Sequence, residues 1–292
     1  MGAATDAKIL ISGATGNVGG ELAKALSRKG VRFRAMVRSP GRAPTLGSLP
    51  GIELVNGDFD ERETLAGALH GVERAFLVTA SSERAEAQQR AFVDVARQEG
   101  VRHVVKLSQW AADRNSPVRF LRSHAAGEAA IRASGMAYTF LRPNLFMQGL
   151  IGLRSTIVAK GQFFAAAGDA RISVIDVRDI AAAAAAALVE QGHEGKVYDL
   201  TGPAALTHAE MAAQLASALG REVAFVDVPP DAMRAALLGT GFPEWQADGI
   251  VEDYAHYRRG EASAVTSGVE DATGLSPRTF AEFARDYAPA FR

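Results

Sequence analysis

Hydrophobic positions in the first half of the chain form short continuous runs, separated by longer stretches in which apolar residues recur with a helical period. Continuous runs of this length predict buried strands, and the stretches between them predict amphipathic helices. The predicted strands are 8–12, 31–37, 52–56, 74–79, 103–108 and 138–142, and the predicted helices are 18–29, 61–69, 83–98 and 123–133. Strands alternating with helices predict an α/β fold with a doubly wound parallel sheet.

The alternation loosens after Pro143. Thr207 and Glu210 form a capping-box pattern, which predicts a helix that runs to Leu219 and ends at Gly220. The other predicted elements are strands over 172–177 and 196–201, an alanine-rich helix over 179–190, a strand-like segment over 221–228, and two or three further helices.

One glycine motif marks the first junction between strand and helix. The segment Gly13-Ala14-Thr15-Gly16-Asn17-Val18-Gly19 follows the first predicted strand directly and opens the first predicted helix. Glycines at these spacings allow a tight turn, a close approach of backbone to a pyrophosphate, and close packing of helix on strand. Free amides at the helix start would face the anion. This context predicts a Rossmann-like dinucleotide site; the alternative is an ordinary glycine-rich turn. The predicted contacts are Gly13, Thr15, Gly16, Asn17, Val18 and Gly19.

The ends of the next strands carry further candidate cofactor contacts. NAD-preferring sites usually place an acid after the second strand, but this chain has Arg38 there and Arg42 four residues later. A guanidinium forks onto a phosphate, so the two cations favour NADP(H), unless both are solvated loop charges. Asp58 could accept from the adenine amine beside Phe59, or could be a turn aspartate. Backbone contacts to the cofactor are expected from Thr79, Ala80 and Ser81.

These patterns predict a division of the chain. We expect residues 1–150 to form an NADP-binding Rossmann domain, to which residues 172–201 return. We expect residues 151–171 and 202–292 to form a smaller C-terminal α/β lobe, which binds the substrate over the carboxyl ends of the strands.

Composition excludes several classes of function. The 292 residues include 32 Lys and Arg against 33 Asp and Glu, a formal net charge of -1, which argues against binding to nucleic acid or a membrane surface. There is no cysteine, and the six histidines show no metal-ligand spacing, so no metal is expected. The longest apolar run, 180–189, is too short to span a bilayer, and we expect a cytoplasmic protein.

Several segments together resemble one family. They are the glycine motif, Met36-Val37-Arg38-Ser39-Pro40, Asn56-Gly57-Asp58-Phe59, Phe140-Leu141-Arg142-Pro143-Asn144, Gly192-His193-Glu194-Gly195-Lys196-Val197-Tyr198 and Gly260-Glu261-Ala262-Ser263. The chain is similar to the NmrA-like atypical short-chain dehydrogenases, and within them to the branch of type 2 quinone oxidoreductases and triphenylmethane reductases. The resemblance covers almost the whole chain. It implies a Rossmann domain, an NADP site and a substrate cleft under the C-terminal lobe.

One departure bears on the chemistry. Typical short-chain dehydrogenases use a Tyr-x-x-x-Lys pair as the proton donor, but by spacing to Glu128 this chain has Phe120 in the tyrosine place and His124 in the lysine place. The NmrA-like group shares this loss. His124 could bond the nicotinamide ribose or donate a proton near neutral pH. Ser108, after the fifth strand, could bond that ribose or a substrate oxygen, and Asn144 could touch the carboxamide or the substrate. All three predicted catalytic residues have a structural alternative.

The leading functional hypothesis is an NADPH-dependent oxidoreductase with a small-molecule substrate. Reduction of a simple ketone makes a basic alkoxide that needs a positioned acid. Quinones, activated alkenes, iminium ions and cationic dyes avoid this need and are the predicted substrates. The alternatives are a non-catalytic NADP sensor that regulates a protein partner, and a nucleotide-sugar epimerase, which normally needs the missing tyrosine. The candidate cleft walls are Phe146, Met147, Phe163, Phe164 and Trp245.

Overall fold

Seven of the nine strands form one sheet in the computed structural model, which describes residues 8–39, 41 and 43–292. In chain order the strands are β1 (Ile9–Ile11), β2 (Phe33–Val37), β3 (Ile52–Asn56), β4 (Arg74–Leu77), β5 (His103–Leu107), β6 (Ala137–Pro143), β7 (Gln162–Ala165), β8 (Lys196–Leu200) and β9 (Ala224–Asp227). The main sheet has the order β3-β2-β1-β4-β5-β6-β8, and all neighbours are parallel. The strand order reverses between β1 and β4, which creates a crevice at their carboxyl ends. The predicted doubly wound α/β fold is confirmed.

The helices pack on both faces of this sheet and around the two remaining strands. They are α1 (Asn17–Arg28), α2 (Pro44–Gly47), α3 (Arg62–Leu69), α4 (Ala85–Gln98), α5 (Arg119–Ala133), α6 (Gly149–Gly152), α7 (Arg154–Lys160), α8 (Val177–Val189), α9 (His208–Leu219), α10 (Pro230–Gly239), α11 (Glu244–Arg258), α12 (Gly268–Thr273) and α13 (Phe280–Asp286), followed by a 3-10 helix at Ala288–Phe291. The capping box of Thr207 and Glu210 is present, and α9 ends at Gly220 as predicted.

Each face of the main sheet has its own hydrophobic core. One core joins the strands to α1, α8 and α12, and the other joins them to α3, α4 and α5. Successive strand residues point to opposite faces. In β5, Val105 and Leu107 belong to the first core and Val104 to the second, so Lys106 and Ser108 follow Val104 toward α4 and α5.

A third core holds the later part of the chain together. It includes Ile157, Phe163, Leu215, Tyr257 and Phe283. Strands β7 and β9 form a separate two-stranded parallel sheet there, and four α-helices follow β9, one more than predicted. The proposed division into two domains stays a prediction. One segment of the predicted lobe, α12, packs on α8 and β8 of the main sheet.

The strand predicted over residues 172–177 is wrong. Only isolated bridges form there, from Ile172 to Leu206 and from Ile175 to Phe146. The reason is that Asp176 caps α8 through its side chain, which accepts from the amide of Arg178, so the helix begins at Val177. The prediction also missed β7, whose run of Phe163 and Phe164 is too short to distinguish a strand from a helix. Helix α5 begins at Arg119, earlier than the predicted 123.

Candidate cofactor and active site

Glycine builds the turn between β1 and α1. Gly13 has a φ of +61°, in the left-handed region that glycine adopts without strain, and its carbonyl accepts from the amide of Gly16 at 2.9 Å. A Cβ on Gly19 would lie 2.2 Å from that carbonyl oxygen, so a side chain there would push the helix away. Gly16 caps α1 without a side-chain hydrogen bond, which keeps the first amides of the helix available to an anion.

A cavity of about 850 Å³ adjoins this turn. We call it the main cavity. The predicted cofactor residues in its wall are Gly13, Thr15, Gly16, Asn17, Val18, Gly19, Arg38, Asp58, Phe59, Thr79 and Ala80. Further wall residues include Met36, Gly57, Asp60, Val78, Gln88, Leu107 and Phe146. The sequence analysis missed most of this second set. Ligand cavities in such folds form where the strands end, so the position of these residues at the strand ends could have indicated them.

The wall around Arg38 carries the chemistry that distinguishes the two nicotinamide cofactors. Arg38 is exposed, directly after β2, and the next residue is Ser39 rather than an acid. A ribose phosphate would find a guanidinium there, whereas a free ribose hydroxyl would find no carboxylate on this strand end. Arg42, the second predicted cation, lies outside the described residues.

The aspartates after β3 are held by their own loop. Asp58 accepts from the amide of Asp60 at 3.0 Å, and its own amide donates to Oγ1 of Thr64 at 3.1 Å. Asp60 in turn pairs with Arg84 at 2.7 Å and accepts from Gln88 at 3.1 Å. Asp58 is therefore both a turn aspartate and a wall residue of the main cavity, so its contact to the adenine stays a prediction.

A smaller pocket shares Thr79 and Ala80 with the main cavity. We call it the side pocket. Its volume is about 10 Å³, so it has room for no more than about one water molecule. It is lined by Thr79, Ala80, Ser81, Ala85, Gln89, Phe120, Ser123, His124 and Trp245. The rings of Phe120 and Trp245 lie 5.3 Å apart, and Phe120 also packs against Gly249 of α11, where a Cβ would lie 2.3 Å from the ring. Ser81 and His124, two predicted cofactor residues, thus lie in the side pocket.

A buried polar network adjoins the side pocket. Lys106 is 1% exposed; its Nζ donates to the carbonyl of Leu107 at 3.1 Å and lies 2.9 Å from Nδ1 of His124. An ammonium group has no lone pair, so the charged lysine must donate to Nδ1. That bond fixes the neutral imidazole with its proton on Nε2. Nε2 has no hydrogen-bond partner in the part of the chain that the structure describes.

The pKa values of this pair are displaced from their ordinary values. Burial lowers the pKa of Lys106 from 10.5 to about 7; the carboxylate of Glu128 opposes this shift and the charge of Arg142 adds to it. Burial, together with the charge of Lys106, lowers the pKa of His124 well below its ordinary value. His124 is therefore neutral near pH 7, whereas Lys106 is charged in about half of the molecules at pH 7 and in most of them at lower pH. The tautomer with the proton on Nε2 belongs to the charged form of Lys106.

Ser108 belongs to the other half of the network. Its Oγ donates to Oε1 of Glu128 at 2.6 Å, and Arg142 donates to both oxygens of that carboxylate, at 2.8 and 2.6 Å. Glu128 is 4% exposed, so its charge depends on this pair. Because the hydroxyl proton of Ser108 is committed to Glu128, the oxygen can only accept from a ligand. Its catalytic role stays a prediction.

Asn144 has its amide fully engaged. Nδ2 donates to Oγ of Ser173 at 2.8 Å and to the carbonyl of Ala262 at 2.9 Å, and Oδ1 accepts from the amide of Leu145 at 2.8 Å. Both amide protons are used, so the arrangement favours the structural alternative for this residue. It fastens the end of β6 to two segments of the later chain.

The candidate cleft walls separate into two groups. Phe146 lines the main cavity and Trp245 the side pocket. Met147 and Phe163 are buried in the third core instead, and Phe164 is 36% exposed. Lys106 was missed by the sequence analysis, although a lysine in the apolar run 103–107 is a signal that could have found it.

Two further findings concern the described residues as a whole. No helix in residues 8–39, 41 and 43–292 is both long enough and apolar enough to cross a bilayer. Within the same residues, no three side chains of His, Asp or Glu come together as a metal would require.

The fold and the glycine turn define a Rossmann-type dinucleotide-binding protein. A search against family models matches residues 5–284 to the NmrA-like family. The chain belongs to the NmrA-like family.

Relatives place it on the predicted branch. The NAD(P)H azoreductase of Xenophilus azovorans is 38% identical over 283 residues, which cover 97% of this chain and 99% of that protein. The NADPH-dependent quinone oxidoreductase of Escherichia coli, solved with NADPH, has a TM-score of 0.86 and 30% identity, covering 95% of this chain and 99% of that one. The triphenylmethane reductase of Citrobacter sp., solved with NADP(H), has a TM-score of 0.84 and 29% identity, covering 96% and 99%. The predicted resemblance to this branch is confirmed.

Proposed function

We propose that this protein reduces small, delocalised electrophiles with NADPH, and that it accepts quinones, azo compounds and cationic dyes in preference to simple ketones. The observation that carries the proposal is the junction at Thr79 and Ala80, where the main cavity meets a side pocket with aromatic walls and no tyrosine. The side pocket is too small to hold an acceptor, so a flat, conjugated acceptor would lie in the main cavity with one edge at this junction.

The chain is an NADP(H)-dependent oxidoreductase, like the relatives that match it along nearly their whole length. The main cavity fits that cofactor. A Cβ on Gly19 would close the turn onto the Gly13 carbonyl, and the uncapped start of α1 offers amides to a pyrophosphate. Arg38 would hold the 2′-phosphate. When bound, NADPH supplies the hydride.

The residues of this chain bind and orient the reactants. We infer that the acceptor lies in the main cavity beside Thr79 and Ala80, and that Phe120 and Trp245 close the adjoining side pocket and limit the water that can enter it. Ser108 can accept a hydrogen bond through its oxygen, since its proton is held by Glu128. Positioning of the acceptor is then the main contribution of the site to rate. We also infer a substrate lobe over residues 151–171 and 202–292, and a cytoplasmic location, supported by the absence of cysteine.

The alternative, a non-catalytic NADP sensor of the NmrA type, has weaker support. The three relatives compared above, which share 29–38% of their residues with this chain, are an azoreductase, a quinone oxidoreductase and a triphenylmethane reductase. A sensor would need a surface for a protein partner, and none of the contacts described above points to one.

The proposal is tested by turnover. We would measure NADPH oxidation by the purified protein with a benzoquinone, an azo dye, a triarylmethane dye and a simple ketone at equal concentration. We expect turnover of at least one of the first three and little of the ketone. Absence of turnover with all four, together with capture of a protein partner, would favour the sensor. Efficient ketone reduction that is abolished in His124→Ala would contradict the proposed substrate class.

A further inference from the structure

The buried lysine beside His124 has no role in the function proposed so far. Lys106 lies within the sheet, where a charge is costly unless it is paired. The carboxylate of Glu128 could neutralise this charge, but it already accepts hydrogen bonds from Ser108 and, at both of its oxygens, from Arg142. The polar contacts of its Nζ are instead the Leu107 carbonyl and the ring of His124. Because burial of this ammonium group costs free energy, we expect a function that requires it.

We propose that Lys106 and His124 form a proton relay into the side pocket, in which Lys106 supplies the proton and His124 delivers it to the reduced acceptor. The proposal rests on the proposed function. It adds two residues that would supply a proton to acceptors that need one, such as azo compounds, in a site without a tyrosine. A simple ketone would draw on the same source, so ketone reduction by the wild type that is lost in His124→Gln would support the relay and contradict the proposed substrate preference.

The geometry provides each step of the relay. His124 accepts from Lys106 at Nδ1, carries its proton on Nε2 and lines the side pocket next to Phe120 and Trp245. Transfer breaks the Nε2–H bond as the acceptor anion gains that proton, and Nδ1 gains one as a bond from Nζ to hydrogen breaks. The lysine is left neutral and the imidazole stays neutral throughout. After product release, a proton from water returns through His124 in the reverse order.

The groups that pack around Lys106 favour this exchange. Helix α5 presents His124 and Glu128, strand β6 presents Arg142, and α4 contributes the uncharged Gln89. Gly127 lets α5 approach the strand, since a Cβ there would lie 2.8 Å from Cε of Lys106. Burial leaves the lysine with a pKa of about 7, so it gives up a proton readily near neutral pH.

Two acceptor chemistries separate the relay from mere positioning. Hydride addition to an N=N bond makes a strongly basic nitrogen anion, and R–N=N–R becomes R–NH–NH–R only with one further proton. Hydride addition to a triarylmethyl cation makes a neutral product and needs no proton. Loss of the relay should therefore slow azo reduction far more than dye reduction.

The experiment compares Lys106→Met, His124→Gln and the double variant in the full-length protein. We expect kcat for an azo compound to fall about 100-fold or more in each single variant, which is the lower end of the range for loss of a general acid. The fall in kcat for a triarylmethane dye should be smaller than the azo loss by a factor of about ten. The double variant should be no slower than His124→Gln alone, because both substitutions break one relay. Lys160→Met, an exposed lysine on α7, is the matched control and should behave like the wild type.

A second measurement does not depend on turnover. The nitrogen spectrum of the His124 ring should show a proton on Nε2 in the wild type and a mixture of tautomers in Lys106→Met. In the wild type, azo turnover should fall above pH 7 as Lys106 loses its proton, more steeply than dye turnover.

Equal losses on both acceptors, additive effects in the double variant, or a wild-type proton on Nδ1 would each overturn the relay while leaving the proposed function in place. A wild type that reduces a quinone or the dye but no azo compound would overturn the relay alone. A wild type that reduces none of the three would overturn the proposed function and the relay with it.

Discussion

The main cavity and the buried polar network lie side by side, but they are built in different ways. The cavity wall at Gly13, Gly16 and Gly19 is made of backbone, and its shape depends on side chains being absent. The network of Lys106, Glu128 and their partners is made of side chains from three elements. A site made of backbone binds a group that many ligands share, such as a pyrophosphate. A site made of side chains can be altered by a single substitution. Substrate choice should therefore lie in the network and the pocket beside it.

The largest effect is expected from Glu128→Ala, which breaks the network at its centre. The substitution leaves Arg142 half-buried without its carboxylate and Ser108 without an acceptor, and loss of one partner of a buried pair costs about 3–5 kcal/mol. Urea unfolding would measure the change in the free energy of unfolding. Glu63→Ala, at an exposed position on α3, is the control and should cost less than about 1 kcal/mol. Equal losses of stability in the two variants would mean that the bonds of Glu128 to Ser108 and Arg142 do not stabilise the fold.

The next effect tests a place where the main cavity relies on a charged side chain. Arg38→Ala should weaken NADPH binding by about 1.5–3 kcal/mol, as expected for a charge-assisted bond to phosphate, and leave NADH binding unchanged. Isothermal titration with both cofactors would show it. Arg32→Ala, at an exposed position just before β2, should alter neither affinity. An unchanged NADPH affinity in Arg38→Ala would remove the basis for NADP preference.

A smaller effect tests the backbone character of the cavity. Gly19→Ala places a Cβ against the Gly13 carbonyl and should cost about 1–3 kcal/mol of stability, as overpacking does, with about a tenfold loss of NADPH affinity or more. Gly20→Ala is the matched control, because its Cβ would lie an ordinary 3.6 Å from the nearest atom. That variant should bind NADPH like the wild type and gain some helix stability. The comparison fails if both alanines behave alike.

The smallest effect is a pH dependence that only the network should show. The pKa of Lys106 falls from 10.5 in the unfolded chain to about 7 in the folded protein. Between those values the unfolded chain binds more protons, so stability rises with pH, by roughly 1.4 kcal/mol per pH unit at most. Below about pH 6 both states are protonated and this contribution is constant.

Unfolding of the wild type and of Lys106→Met at pH 6, 7 and 8 would measure this difference. Relative to the variant, the wild type should gain about 1 kcal/mol from pH 7 to 8 and about 0.4 kcal/mol from pH 6 to 7. Parallel profiles over the whole range would show that the lysine keeps its ordinary pKa.

The same contrast explains what could be predicted from the sequence. The glycine turn is a local pattern: its residues are neighbours in the chain, and glycine spacing reports the backbone directly. Lys106, His124 and Arg142 meet only because β5, α5 and β6 are packed together, and no spacing in the chain encodes a bond between Lys106 and His124. Asn144 was placed correctly at the end of β6. Its two hydrogen-bond acceptors, the hydroxyl of Ser173 and the carbonyl of Ala262, come from distant segments of the chain.

Secondary structure followed the same rule. The strands of the main sheet were predicted well because both faces are buried and the apolar runs are continuous. The strand expected over 172–177 was wrong because a single capping bond, from the amide of Arg178 to Asp176, decides where α8 begins.

The hydrogen bonds of Asn144 limit how the later part of the chain can move. One buried amide joins the end of β6 to Ser173 and Ala262, so the later part of the chain cannot swing away as a hinged lid without breaking these bonds in one step. We expect ligands to enter and leave through side-chain movements at the rim of the main cavity, which occur on a nanosecond scale, rather than through a slow domain closure. Amide hydrogen exchange at Leu145 should accordingly be as slow as in the centre of β5, with both exchanging only through global unfolding.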